Sequence, residues 1–588
     1  MDPTTHEEWG RRLHGLLAVV ALLFAILFVR LFQLQITFSA DYRKESEENR
    51  IAQKRIKAPR GRILDRDGEI LARNRASYTI YLLRTSEQRD ADAVASLEEA
   101  IGESIQYNRK RPAIRLRRDV DFETVCIVEE RLRGDWLLDI EIEPQRDYPF
   151  RSLAAHVTGH MGIMQEGDVT PRAKRYEPGD YIGQTGIEKI FENRLRGDDG
   201  VRYLEVDAKE RIKRESPFPE RERAPVKGED VSLTIDLDVQ RAAERALPDT
   251  LAGSVVALDA RTGAILALYS KPTFDPNIFN SFQAQAERNA ILESPAEPLL
   301  NRAIQGTYPP GSTLKMLGAV AALEAGITDT LSTFPACAGS LLVGDVVFHC
   351  FDREGHGELT LLEALEASCN IYFNHLAQML GVTAWTEMGQ TLGFGRLTGI
   401  DLEGEEPGLL PTRQWYREHE GVWVMGHLMN LVMGQGAMGV TPLQMARYTA
   451  ALGNGGRLVT PYVYGPPQEP IQLDISRNSL DIIKLGMFRV VHGEHGTGKR
   501  AFIPGVGVSG KTGTAQNSNR SDDDAWFVAF APFEEPQIAV AVVVEAGGLG
   551  GVTAAPIARH VLEAYFEAES TRNRTASVRR PRGRKPGT

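Results

Sequence analysis

The sequence predicts an α+β protein: one N-terminal membrane anchor, followed by a body whose sheet is assembled from distant parts of the chain. Three observations predict it. A long apolar run stands at residues 13–29. Two apolar segments, 255–259 and 264–268, flank Ala260-Arg261-Thr262-Gly263 as a hairpin, and further β-rich segments stand at 526–530 and 538–544. Between them lies a block with helical spacing, and 588 residues are too many for a single core.

The first element is the apolar run, whose only polar member is His14, with Arg11 and Arg12 before it and Arg30 after it. Residues 13–34 serve as a signal anchor if Arg30 snorkels, with 1–12 as a short cytoplasmic tail. A cleaved signal peptide is the alternative, although Ser39-Ala40 is late for a peptidase. Arg11 and Arg12 favour an N-terminus inside, and Arg43 and Lys44 weaken that argument. Residues 41–57 are highly charged and read as a solvated helix or linker. Asp67-Gly68 between apolar residues signals a hairpin.

Between 86 and 135 no chemistry is legible, and Cys126 reads as a buried small apolar residue. Residues 183–197 begin as a turn and continue as a helix with Phe191 and Leu195 on one face. Pro225 in a polar stretch marks a boundary, dividing 35–225 from 226–569. Beyond it come a strand at 231–235, a helix after Asp238, and the hairpin 255–268. The segment from Tyr308-Pro309-Pro310 through Ala322-Leu323 reads as a helix opened by prolines and stopped by Gly326. Strands 526–530 and 538–544, a Gly-rich turn at 547–551 read as mobile, and a helix at 555–568 complete the body. The last nineteen residues, 570–588, hold seven Arg or Lys and no acid, and read as a disordered tail. The chain carries −11 overall, so the folded part is more acidic still, which argues against a nucleic-acid partner.

Ser312 and Lys315 are three apart, on one face of the first turn of their helix. A serine there is a nucleophile if a lysine of lowered pKa takes its proton. Ser368-Cys369-Asn370 and Lys511-Thr512-Gly513 follow in order. Ser-x-x-Lys, Ser-x-Asn and Lys-Thr-Gly together are the motif set of the serine penicillin-recognising enzymes. With its anchor, the chain resembles the class B penicillin-binding proteins, membrane-bound peptidoglycan DD-transpeptidases, and in particular the penicillin-binding protein 2 subfamily of cell elongation. Arg60, Gly61 and Asp65 match an interdomain motif of that family.

The resemblance implies an elongated non-catalytic pedestal over 35–225 and a penicillin-binding transpeptidase domain over 226–569, with a five-stranded antiparallel sheet flanked by helices. It implies that Ser312 attacks the penultimate D-Ala of a stem peptide and that neutral Lys315 accepts its proton. Ser368 relays a proton, and Asn370 holds substrate or orients Lys315. Lys511 is a second cation drawing the substrate carboxylate, Thr512 bonds that carboxylate, Gly513 lets substrate approach the strand, and the N–H groups of Ser312 and Thr514 form the oxyanion hole. β-Lactams would acylate Ser312. Asp524 stands where the family often has His. Met433-Gly434-Gln435-Gly436 and Thr441 to Gln444 read as a turn and a helix cap.

The implied setting is the bacterial inner membrane, single-pass, with the catalytic domain in the periplasm. Glycan strands would come from a SEDS-family glycosyltransferase and other elongation-complex proteins. A septal transpeptidase, a penicillin-hydrolysing or sensing serine enzyme, and a protein that chiefly activates its SEDS partner are the alternatives.

Cys337, Cys350, His356 and Cys369 lie within a span of thirty-three residues. Three thiolates and an imidazole suit one structural zinc, with His349 as a competing ligand. A Cys337–Cys350 disulfide or plain burial also fits the spacing. The resemblance strengthens zinc, because some members carry it at matching positions. No organic cofactor is expected.

Overall fold

Continuous apolar runs and turn glycines build the sheet, and helices cover both its faces. This computed structural model describes residues 3–39, 51–83, 87–102, 104–105, 113–131, 138–164, 176, 180–206, 212–214, 219–281, 284–517 and 522–579. In chain order the body runs through α1 (Leu237–Ala246), β1 (Gly253–Asp259), β2 (Ile265–Lys271), α2 (Lys315–Glu324), α3 (Leu361–Glu366) and α4 (Asn370–Thr391). It continues with α5 (Met425–Val432), α6 (Pro442–Gly453), α7 (Arg477–His492), β3 (Ser509–Ala515), β4 (Asp524–Ala531), β5 (Ile538–Val544) and α8 (Ala554–Arg579).

The five strands form one antiparallel sheet in the order β2-β1-β5-β4-β3. Every residue of β1, β4 and β5 is buried, so both faces are covered. Alternate side chains sort accordingly. Val255, Ala257, Val540 and Val542 pack in one cluster with Val239 of α1 and Val561 of α8, while Val256, Leu258, Ala541 and Val543 pack in another with Leu443 and Tyr448 of α6. At the β1–β2 turn Gly263 has φ +83°, and Thr460 O would lie 2.4 Å from any Cβ there. β3 is an edge strand, which leaves one side of the Lys-Thr-Gly segment free of strand pairing.

Ahead of the body, a helix over Pro3–Phe32 continues as a π-turn, Gln33–Thr37. Its stretch Arg12–Thr37, 26 residues long, contains an 18-residue window of mean hydropathy 2.7 that is not buried. At 1.5 Å per residue that spans ~39 Å, enough to cross a hydrocarbon core.

The chain divides into two compact units, and the division does not follow the boundary at 225/226 expected from sequence. One unit comprises Met1–Pro59, Ala76–Gln145 and Gly197–Gly228. In it, strand Ile51–Ile56 pairs with Gly200–Val206, so the region read as a solvated helix or linker is strand from 51, while 40–50 lie outside the described residues. Helices Glu87–Ile101 and Phe122–Arg131 cover a small sheet through Val94, Leu97, Val125 and Val128. Val125 and Val128 take the buried stripe of their helix, which turns Cys126 to the exposed face, contrary to its reading as a core residue.

The second unit is Arg60–Arg75, Arg146–Arg196 and Glu229–Thr588. Its hairpin turns at Gly68 (φ +91°), as Asp67-Gly68 predicts. Arg60–Arg75 and Arg146–Arg196 are knitted together by buried Glu188. Arg60 Nε and Arg146 Nε donate to its two carboxylate oxygens at 2.6 and 2.5 Å, and Tyr148 OH donates at 3.2 Å. Burial pushes the Glu188 carboxyl up, but Arg146 and Arg60 outweigh it and hold the group below the usual carboxylate range. The helix predicted over 183–197 is broken at Phe191 into Gly186–Ile190 and Glu192–Leu195, which lets Glu192 pair with Arg60 at 2.8 Å.

α8 runs to Arg579, beyond the predicted end at 568, so 570–579 is helix and not disordered tail; 580–588 lie outside the described residues. Arg572 accounts for the extension. Its guanidinium bonds Asp67 of the hairpin and buried Asp236, the N-cap of α1, at 2.5 Å each, and Glu569 at 2.9 Å.

Candidate active site

Ser312 sits in a short 3₁₀ turn, Gly311–Leu314, and Lys315 opens α2 by donating its N–H to Ser312 O. The helix therefore starts later than the prolines suggest. Its far end closes as expected, with Gly326 (φ +67°) donating to Leu323 O and Ile327 to Ala322 O, the paired bonds of a Schellman stop.

Glycines let three main chains meet around the turn. A Cβ on Gly311 would lie 2.7 Å from Thr514 O and 3.2 Å from Thr514 N, so the peptide groups of Thr514 on the sheet edge face the nucleophile turn. Gly434 would place a Cβ 2.1 Å from Gly311 O, and its own carbonyl accepts Gly311 N at 2.9 Å. Gly513 would meet Pro310 O, Thr313 Cγ2 and Trp526 Cβ, each at 2.9 Å. The serine turn itself therefore requires glycine at 513, and the need for substrate access is not the only reason. Trp526 Nε1 donates to Pro309 O at 3.0 Å, fixing the turn from β4.

The Gly-rich turn at 547–551, read from sequence as mobile, packs across this strand: a Cβ on Gly550 would lie 2.2 Å from both Gly513 O and Trp526 O. Asp524, at the head of β4, accepts from Asn517 Nδ2 at 3.1 Å and Ala546 N at 3.0 Å, so it ties the ends of β3 and β5 together.

Ser368 is not inside a helix. It joins α3 to α4 with φ +55°, a left-handed conformation unusual for serine, and Cys369 is the N-cap of α4. This bend turns both oxygens of Ser368 to Lys315, whose Nζ lies 2.7 Å from Ser368 O, 3.2 Å from Ser368 Oγ and 2.7 Å from Asn370 Oδ1. Asn370 Nδ2 donates to His349 O at 3.0 Å, so both ends of its amide are engaged within the protein and it orients Lys315. Lys511 approaches Ser368 from the sheet, its Nζ 2.8 Å from Ser368 Oγ and 3.0 Å from Thr512 O.

Lys315 and Lys511 are both fully buried. Burial pushes Lys315 down to about 8, against the opposing pull of Cys369 and Cys350. Burial pushes Lys511 well below the ordinary lysine value, and the charge of Lys315 pushes it further. A hydroxyl between two amines accepts from one and donates to the other, which suits one charged and one neutral lysine. Lys511, expected to draw the substrate carboxylate as a second cation, is buried under β3 with its bonds made to Ser368 Oγ and Thr512 O. Ser312 is half-buried, and its carbonyl accepts the Lys315 N–H. The sequence brought forward Ser312, Lys315, Ser368, Asn370, Lys511, Thr512, Gly513 and Thr514, and the fold gathers all eight.

The metal candidates gather too. One ligand atom from each of Cys337, Cys350, His356 and Cys369 lies within 4.8 Å of the others, and the three cysteines are buried and free, with no disulfide. His356 Nδ1 is 3.7 Å from Cys337 Sγ and 3.4 Å from Cys350 Sγ, close to the ~3.7 Å edge of a tetrahedron with 2.3 Å zinc–sulfur bonds. The donor set and its spacing fit zinc. His349 is exposed and outside the group; its carbonyl serves Asn370 instead.

Sequence reasoning missed Glu366. Buried two residues before Ser368, it binds Arg489 Nε at 2.6 Å and His495 N at 2.8 Å, anchoring the loop after α7. Its place inside an apolar helix was the available signal.

Known proteins match this architecture. The penicillin binding protein transpeptidase domain family matches residues 253–563, and the penicillin-binding protein dimerisation domain family matches 55–233. Peptidoglycan D,D-transpeptidase MrdA of Haemophilus influenzae is 32% identical, with 93% of this chain and 90% of that protein covered. The crystal structure of Pseudomonas aeruginosa PBP2 in complex with WCK 5153 aligns with TM-score 0.65 and 32% identity, covering 87% of this chain and 96% of that one. PBP2 of Helicobacter pylori, solved in complex with MreC, shares the fold with TM-score 0.78 at 24% identity, covering 88% of this chain and 99% of that one. The chain belongs to the class B penicillin-binding proteins, in their penicillin-binding protein 2 branch.

Proposed function

We propose that this chain is the serine-type D-Ala-D-Ala transpeptidase of cell elongation, cross-linking peptidoglycan stem peptides through an acyl-enzyme and inhibited covalently by β-lactams. One observation carries the mechanism: a buried lysine drawn toward neutrality, Lys315, stands one helical turn after Ser312 and is bonded to Ser368 and Asn370 of the second motif. Ser312 Oγ attacks the carbonyl carbon of the penultimate D-Ala. An ester C–O bond forms, the peptide C–N bond breaks, and the hydroxyl proton passes to neutral Lys315 and through Ser368 to the departing amine. The N–H groups of Ser312 and Thr514 receive the developing oxyanion, a contribution of about 3 kcal/mol per donor in comparable enzymes. Asn370 holds Lys315 in place. An amine of a neighbouring stem peptide then attacks the ester, forms the cross-link and returns the proton to Ser312. Water in its place gives carboxypeptidase activity, and a β-lactam leaves a stable acyl group.

Incubation of the intact protein with benzylpenicillin, followed by intact-mass and peptide mass spectrometry, tests this. One adduct on the peptide containing Ser312 is expected. No covalent gain, or a gain elsewhere, refutes it.

Cys337, Cys350, His356 and Cys369 hold one structural zinc that braces the Ser368 bend through its neighbour Cys369. Its contribution is rigidity, with no part in acyl transfer. Metal analysis should find one zinc per chain, lost in Cys350→Ser; an equal zinc content in that variant removes the site. Arg11 and Arg12 favour a cytoplasmic tail and a periplasmic body on the bacterial inner membrane. Glycan strands come from a SEDS-family glycosyltransferase, and the H. pylori relative solved with MreC supports membership of an elongation complex.

A further inference from the structure

Lys511 is occupied beneath the strand, which raises the question of what holds the substrate's terminal carboxylate. We infer that Thr497, outside the three motifs, binds that carboxylate together with Thr512. This rests on the transpeptidase reading above.

Thr497 lies in the loop after α7, and its Oγ1 is 2.8 Å from Thr512 Oγ1. The loop is firmly placed. Glu366 accepts His495 N at 2.8 Å, Gly498 N donates to Val490 O at 2.9 Å, and Thr497 O would lie 2.4 Å from a Cβ on Gly551. A hydroxyl pair held this way serves an anion well. One proton is spent in the mutual bond, and when a carboxylate arrives both hydroxyls turn to donate. Thr497 is half-buried, so its hydroxyl combines fixed placement with access.

The substrate's geometry leads to the same place. With the scissile carbonyl at Thr514 N–H, the carboxylate of the departing D-Ala lies one residue further on, ~3.4 Å along an extended chain. Toward Lys511 this brings it abreast of Gly513 and Thr512. There the lysine pair supplies positive field from below and the threonines supply direct contacts. Beyond Thr514 in the other direction, β4 opens with a buried carboxylate, Asp524, which repels it.

The test compares acylation of the full-length protein by benzylpenicillin and by its methyl ester, which lacks the negative charge. Thr497→Val should slow acylation by the free acid about tenfold, the size of one hydrogen bond to a charged group, and leave the ester within about twofold. Thr497→Ser, which keeps the hydroxyl, should restore the preference for the acid. Equal slowing of acid and ester would make Thr497 a structural support for Thr512, and no change in either would make it a bystander; each overturns the inference and leaves the acyl-enzyme reading intact. Failure of the wild-type protein to form an adduct at Ser312 would instead overturn that reading, and this inference with it.

Discussion

With Lys315 as the proposed base, acylation should depend on pH by an amount that follows from its burial. A fall from 10.5 to about 8 amounts to a preference of ~3.4 kcal/mol for the neutral amine. At pH 7 about one molecule in ten then carries Lys315 neutral, against about three in ten thousand for an ordinary lysine, a ~300-fold gain in competent base. The base is the deprotonated form, so the second-order rate of acylation by benzylpenicillin should rise with pH, bend near 8 and level off above it. Stability has a linked sign. The folded chain binds fewer protons at Lys315 than the unfolded chain between pH about 8 and 10.5, so burial costs most below 8 and the cost fades as pH rises through that window. Rates measured by intact mass from about pH 6 to pH 10, corrected for spontaneous lactam hydrolysis, would decide it. A rate that climbs without bending, or a flat profile, refutes the assignment of Lys315 as the base.

Three further outcomes are expected. Gly513→Ala should leave the chain folded yet lower acylation about 100-fold, because its methyl displaces the Pro310–Thr313 turn by a few tenths of an ångström; penicillin labelling beside a thermal melt checks it. Glu188→Ala leaves buried Arg146 without a carboxylate partner and Arg60 with Glu192 alone, and should cost about 3–5 kcal/mol, lowering the melting temperature by several degrees. Because the Glu188 carboxyl is held below its usual value, its stabilisation is complete near neutral pH and is lost as pH falls through the acid range, so the wild type and the variant should converge in acid. Arg572→Ala should also lower the melting temperature, since it leaves buried Asp236 without that partner; an unchanged melt would show that the end of α8 adds nothing to the fold.

Residues whose chemistry is local were legible in the sequence. Gly68, Gly263 and Gly326 announce their turns because positive φ favours glycine, and Thr441 with Gln444 caps α6 reciprocally, at 3.2 and 3.0 Å. The three motifs were legible because acyl transfer demands a nucleophile, a base and an anion site in one place. What depended on distant chain was not. The left-handed bend at Ser368 follows from Lys315, Lys511 and the Cys369 cluster converging on it. The requirement for glycine at 513 comes from a turn some two hundred residues earlier. The break at Phe191 serves the pairing of Glu192 with Arg60, and the length of α8 depends on Arg572 reaching Asp67 and Asp236. None of these leaves a periodicity to read.

Gly311, Gly434 and Thr514 touch backbone to backbone, although each belongs to a different stretch of the chain. Neither an amino-terminal portion of the catalytic body nor an intermediate lacking its edge strand can display a reactive serine. Covalent capture by a labelled penicillin thus reports completion of folding as well as activity. During synthesis, the moment at which a nascent molecule first becomes labelled would mark the arrival of its last-made strands beside its first.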